Sequence, residues 1–281
     1  MLTPISSLQN QRIKEVVKLN NRRLRDKQRQ TIVEGAREAM RALDSGLCPA
    51  EAYICPALVG GEAAELVARL SDLGRQGKTE LFEVTTAVFQ KIAYRGDSGG
   101  VLLVVPYLRH SLETLPLGQP PFLLILEAVE KPGNLGAILR TADAAGVDGL
   151  IVCGEAGSTG TDIHNPNVVR ASLGALFTVP VVEVENGRLL TWLKEHHIPI
   201  VATTPQATLP YPALDMTGPV ALVMGSEARG LSQTWLAAAD QQVVIPMRGI
   251  VDSLNLSVAT ALLLYEIVRQ RYHSPPDSQQ A

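Results

Sequence analysis

The second half of the chain repeats one pattern: an uninterrupted apolar run, a polar loop holding glycine or proline, then an amphipathic segment. The runs predict strands at 122–128, 149–153, 179–184, 198–203, 220–224 and 242–245. The periodic segments predict helices at 135–145, 167–176, 187–196, 231–239 and 255–271. Strands that do not alternate with polar residues are buried on both faces. In an α/β chain that means a parallel sheet covered by helices on both sides. Ligands of such sheets lie beyond the carboxyl ends of the strands, so the loops after the runs are the candidate site.

Three of these loops carry distinctive residues. The first, 130–143, places Asn134 as a candidate N-cap between Gly133 and Gly136, whose lack of a side chain permits close approach. Arg140 follows in the predicted helix with Gly136, Ala137, Asp143 and Ala144 one turn away. These small neighbours leave its guanidinium either reachable or paired with Asp143. The second loop, 224–232, has the glycine spacing of a phosphate loop, but Leu231 stands where the lysine belongs. That excludes a triphosphatase of that type. The chain has no G-x-G-x-x-G fingerprint either, which leaves a dinucleotide enzyme unsupported. What remains is a glycine turn presenting Glu227 beside Arg229. The third, 243–259, reads VVIPMRGIVDSLNLSVA and offers Ser253, Asn255 and Ser257 as helix caps or as hydrogen-bond donors to a ligand. Each loop alone is compatible with a capped turn; three at one edge of one sheet are more specific.

The first half predicts helices at 5–20, 35–43, 62–73 and 86–92, a basic turn at 20–25, and strands at 31–33, 52–55, 81–84 and 101–105. This is a small α/β/α domain with about four strands. Residues 109–121 hold three prolines and a glycine and read as a linker. The expected division is therefore 1–108, a linker at 109–121, a second domain at 122–272 and a disordered tail at 273–281.

Net charge is −3 over 281 residues, yet residues 1–45 hold ten Lys and Arg against five Asp and Glu. Eight of these basic residues fall between Arg12 and Arg29, opposed by Glu15 and Asp26 only. Such a run suits a phosphate backbone, or it is the solvated face of a helix. Aromatic content of 4% argues against base stacking as the main mode of nucleic-acid binding. Cys48, Cys55 and Cys153 form no C-x-x-C or Cys/His cluster. This fits a reducing compartment and predicts no metal site. Neither a signal peptide nor a membrane span is apparent, so a cytoplasmic protein is expected.

At these residues the chain resembles the SpoU/TrmH branch of the SPOUT RNA methyltransferases. The resemblance rests on three motifs in order. The first is Asn134, Gly136, Arg140 and Thr141, and the second is Gly225, Glu227 and Gly230. The third is Ile245, Pro246 and Met247 continuing to Ser253, Leu254, Asn255, Ser257 and Ala259; residues 165–180 match the intervening segment. The first half is similar, by layout and basic helix, to the ribosomal-protein-like RNA-binding domain that often precedes this one. The resemblance implies transfer of a methyl group from S-adenosylmethionine to a ribose 2′-hydroxyl of structured RNA. Ribosomal 23S RNA is preferred from the two-domain layout. A tRNA methyltransferase and a non-catalytic RNA-binding or assembly protein are the alternatives. It also implies a deep trefoil knot in the second domain, which the strand pattern alone would not suggest, and a homodimer through that domain. Arg140, Asn134, Glu227, Ser253 and Asn255 would form the active site, without a metal. Gly225, Ile245 and Leu254 would line the cofactor pocket. Arg12, Lys14, Lys18, Arg22, Arg23, Arg25 and Lys27 would meet RNA.

Overall fold

The computed structural model describes residues 2–94, 99–108, 110–155 and 162–273. Residues 274–281 of the expected tail lie outside the described residues. The chain divides into two compact units, Met1–Leu108 with Asp162–Thr178, and Arg109–Thr161 with Val179–Ala281. The sequence pattern puts Asp162–Thr178 inside the second domain; it groups instead with the first.

The first unit has strands β1 (Thr3–Ile5), β2 (Gln30–Glu34), β3 (Glu51–Ile54), β4 (Glu80–Val84) and β5 (Val101–Pro106), and helices α1 (Gln11–Lys18), α2 (Arg22–Gln28), α3 (Ala36–Asp44), α4 (Ala64–Arg75) and α5 (Thr86–Ile92). The sheet order is β1-β4-β3-β5-β2. β5 runs antiparallel to β2 and β3, while β4 is parallel to β1 and β3. Two departures from the sequence reading have local causes. The expected helix at 5–20 begins only at Gln11, because the Asn10 side chain accepts from Arg12 N and caps it there. Ahead of it, Thr3–Ile5 is a fifth strand, of which Ile5 alone is buried, so no alternation betrays it. The expected basic turn is helix α2, whose buried residue is Arg25. A buried arginine adds nothing to an apolar stripe, so periodicity misses the helix.

Arg25 is 1% exposed and donates to Leu19 O at 2.7 Å. It also pairs with the buried carboxylate of Asp162. Around this pair Thr31 Oγ1 donates to His164 O at 2.6 Å, and the Tyr107 and His164 rings stack at 3.6 Å. Leu108 N donates to His164 Nε2 at 3.2 Å, which requires that nitrogen to be unprotonated. Burial and the nearby Arg29 charge push the His164 imidazole down to about 3. These contacts hold the 162–178 segment, with helix α7 (Pro166–Ala171) against β2, in the first unit.

The second unit continues with β6 (Phe122–Glu127), α6 (Pro132–Ala145), β7 (Gly149–Gly154), β8 (Val181–Glu185), α8 (Asn186–Glu195), β9 (Ile200–Thr203), β10 (Leu209–Pro210), β11 (Val220–Met224), α9 (Gln233–Ala238), β12 (Gln241–Val244) and α10 (Leu256–His273). Its sheet order is β10-β12-β9-β11-β6-β7-β8, and every pair is parallel. All residues of β6 and β11 are buried. One face packs Leu123, Ile125, Val223 and Trp235 with Leu189 and Leu193 of α8. α10 packs along α6. From β6 the chain builds outward to β7 and β8, then returns to the other side for β9 and β11. The order therefore reverses between β6 and β11, and a crevice opens at their carboxyl ends.

Removing one member of a buried ion pair strands the other charge, at a cost of about 3–5 kcal/mol. Asp162→Ala is therefore expected to lower unfolding stability by about that amount in urea denaturation, and Arg25→Met/Asp162→Leu to recover most of it. His164 adds a pH dependence, because the unfolded chain takes up its proton first. Its contribution is complete above about pH 6.5 and is lost as pH falls towards about 3. Urea denaturation at pH 7 and pH 5 is expected to show a smaller difference for His164→Asn than for the natural chain.

Candidate active site

The crevice of the second unit holds a cavity of about 510 Å³, within the range of small-molecule sites. It is walled by the ends of β9, β11 and β12 and by the loops that follow them.

Asn134 lies in the first turn of α6. Lys131 is the N-cap and Pro132 opens the helix, so Asn134 is not the cap expected from sequence. Its side chain is thereby free to bond sideways. Asn134 Nδ2 donates to Glu227 Oε1 at 2.6 Å, and Asn255 Nδ2 donates to Asn134 Oδ1 at 3.1 Å. Glu227 Oε2 accepts from Glu130 N at 3.0 Å. Asn255 Oδ1 in turn accepts from Ser257 N at 2.9 Å and Ser257 Oγ at 2.6 Å, so Asn255 caps α10. One series of side-chain hydrogen bonds thus links all three loops. Burial acts to raise the Glu227 carboxyl. The Asn134 bond and backbone N–H groups at Glu227, Glu130 and Lys131 outweigh it and hold the carboxyl below the usual range. Glu227 is therefore an anion at neutral pH with both oxygens engaged.

The glycine turn is closed by Ser226 N donating to Gly230 O at 3.1 Å and Gly230 N donating to Ser226 O at 3.0 Å. A Cβ at Gly225 would lie 2.1 Å from the Gly230 carbonyl carbon, so no side chain fits there. Gly225, Ile245, Ser253 and Leu254 all line the cavity, as do Asn134, Glu227 and Asn255. Ser253 Oγ donates to Asp252 Oδ1 at 3.2 Å. Arg140 does not line the cavity. It is exposed on α6 and forms no hydrogen bond or ion pair among the described residues. Six residues past Asn134, it projects about 120° away around the helix.

The sequence reading missed Thr203, Thr204 and Pro205 at the end of β9, which form a fourth wall. Their signal was present, since they too are a polar turn after a buried strand. Thr203 Oγ1 is buried and has no hydrogen-bond partner among the described residues. Among the described residues no group of three or more side chains could hold a metal ion, and no helix is long and apolar enough to cross a membrane.

The expected RNA-contacting residues sit on the first unit. Arg12 pairs with Glu51 at 2.9 Å and Glu80 at 2.8 Å, Lys18 with Glu15 at 2.7 Å, and Arg22 with Asp26 at 3.7 Å. Lys14, Arg23 and Lys27 are exposed. Arg25 is corrected out of this set, because its guanidinium is buried against Asp162 and Leu19 O.

Residues 121–265 match the SpoU rRNA Methylase family, and residues 10–103 match the MRM3-like substrate binding domain. The 23S rRNA (guanosine-2'-O-)-methyltransferase RlmB of Yersinia pestis is 43% identical over 168 residues, 59% of this chain and 64% of that protein. The 23S rRNA (uridine(2479)-2'-O)-methyltransferase of Streptomyces viridochromogenes is 31% identical over 260 residues, 90% of this chain and 87% of that one. An AdoMet-bound rRNA methyltransferase from Sinorhizobium meliloti superposes with a TM-score of 0.87 at 28% identity, covering 97% of this chain and 99% of that structure. The family match spans more than half of the 281 residues and takes in all three loops of the cavity. On that match and on the full-length relative, this chain belongs to the SpoU rRNA methylase family.

Proposed function

We propose that this protein is an S-adenosylmethionine-dependent methyltransferase acting on a ribose 2′-hydroxyl of 23S ribosomal RNA. The observation that carries this reading is the Glu227–Asn134–Asn255 series of hydrogen bonds along the cavity. It gives one hydrogen-bonded edge to a pocket whose other walls combine apolar side chains and backbone with polar side chains such as Asp252 and Ser253. The residues fit the cofactor in charge and in polarity. Glu227 and Asp252 offer negative charge to a sulfonium and an ammonium. Leu254, Ile245 and Met224 offer apolar surface. The relatives named as 23S rRNA methyltransferases support the substrate class, and the AdoMet-bound structure supports the cofactor.

Bound there, S-adenosylmethionine supplies a methyl group already activated by its sulfonium, so the protein's task is alignment and proton handling. Glu227 is a poor candidate for the base, because both its oxygens are held by N–H donors and its affinity for a proton is lowered. Its role is to orient Asn134. Arg140 holds the RNA phosphate and stabilises the charge that develops on the 2′-oxygen as its proton passes to solvent water and the methyl carbon leaves sulfur for oxygen. A guanidinium stays protonated and serves that role better than it would serve as base.

Arg140 does not line the cavity of its own chain, so we assign it to the site of a second copy in a homodimer through the C-terminal domain. Supporting this, α10 exposes Val258, Leu262 and Tyr265 at helical spacing, and the preceding loop exposes Ile250 and Val251. A deep trefoil knot belongs to the same reading. It is supported by the chain path after β11, which runs out to β12 beyond β9 and returns to lay α10 on α6. The exposed set Arg12, Lys14, Lys18, Arg22, Arg23 and Lys27 would dock RNA, in the cytoplasm.

Arg140→Ala is expected to abolish methyl transfer to 23S RNA while calorimetry still shows S-adenosylmethionine binding; loss of that binding would overturn its assignment. Mapping 2′-O-methyl positions in total RNA with and without the protein identifies the nucleotide. Charge reversal at Arg22 and Arg23 is expected to weaken RNA binding and to flatten its salt dependence. The log–log slope should fall by about 0.7–0.9 for each phosphate that is no longer neutralised. Unchanged affinity and slope would make that surface solvated decoration.

A further inference from the structure

Behind the glycine turn lies a buried polar cluster that no catalytic role accounts for. Glu127, the last residue of β6, is 4% exposed. Its Oε1 accepts from Asn186 Nδ2 at 2.9 Å and from Ser232 Oγ at 2.6 Å, and its Oε2 accepts from Ser232 N at 2.7 Å. Asn186 Oδ1 accepts in turn from Trp235 Nε1 at 3.2 Å. All three contacts to Glu127 are donors, so an ionised carboxylate fits and an amide would turn its own N–H₂ against one of them. Ser232 stands at the N-cap of α9, yet its side chain makes no capping bond to that helix. Its hydroxyl is committed to Glu127 instead.

Ser232 is two residues past Gly230, where the hairpin of Gly225 to Gly230 closes. That hairpin places Gly225, Ser226, Glu227 and Gly230 on the cavity wall. Its front is tied to α6 through Glu227 and Asn134. Its exit is anchored to β6 by Glu127. We infer that Glu127 is a positioning residue for the cofactor: through Ser232, and braced by Asn186, it sets the hairpin backbone against which S-adenosylmethionine binds. The inference rests on the cofactor reading above. Hydrogen bonds to a charged, buried acceptor are among the stronger side-chain contacts, so losing them loosens the wall without removing any group that touches the ligand.

The test compares wild type, Glu127→Gln and Ser232→Ala in full-length protein, by calorimetric titration with S-adenosylmethionine, RNA gel shift and thermal melting. Glu127→Gln is expected to raise the cofactor Kd, and its KM in turnover, at least about tenfold, the scale of one hydrogen bond to a charged group. Backbone amide exchange at Ser226 and Gly230 accelerates, and RNA affinity is unchanged. Ser232→Ala, which keeps the backbone bond, raises Kd in the same direction by a smaller factor and decides the matter if Glu127→Gln fails to fold. A merely structural role would lower the melting temperature and leave the cofactor affinity of the folded protein as it was. Wild-type affinity in the folded variants would overturn the positioning role alone. Absence of binding by wild type would overturn the cofactor reading and this inference with it.

Discussion

The Asn134 side-chain amide gives its N–H to Glu227 and takes one from Asn255. Three loops that follow β6, β11 and β12 meet at that one group. An amide suits this place because it is both donor and acceptor, and no apolar side chain could join a carboxylate to another amide. The meeting in turn requires β6 and β11 to lie side by side with their carboxyl ends together, which the parallel order supplies. The cavity, the depressed carboxyl of Glu227 and the cap of α10 all follow from it.

The first unit is held by a different kind of polar contact. Arg25, Asp162 and the stacked Tyr107 and His164 bring a segment from the middle of the chain into the N-terminal fold. A buried ion pair is a poor source of net stability, but it is selective, since either charge alone is costly. Its effect here is to specify which unit the 162–178 segment joins. The same requirement takes Arg25 away from the surface that carries Arg22 and Arg23.

Much of the second unit is legible residue by residue. The runs at 122–128 and 220–224 have no polar alternation, and both form central, fully buried strands. The loops distinguished by small and polar residues do wall the cavity. Periodicity fails where a polar residue has a structural role. Arg25 hides helix α2, and Asn134 has the look of a cap although Pro132 already opens α6. Strand β1 is invisible because three residues with one buried side chain carry no period, and only pairing with β4 makes them a strand.

Sequence by itself determined the alternation of strand and helix, the burial of the central strands β6, β7 and β11 on both faces, and the polar character of the turns at the sheet's edge. These depend on the spacing of apolar residues along a few turns of chain, which is a local property. Tertiary structure alone decided that β6 lies between β7 and β11, that Glu227 faces Asn134 and not Arg229, and that Glu127 anchors Ser232. It also decided that Arg140 does not line the cavity of its own chain. Those outcomes depend on which distant segments share a boundary. A hydrogen-bonding group carries no mark of its partner until packing has chosen one.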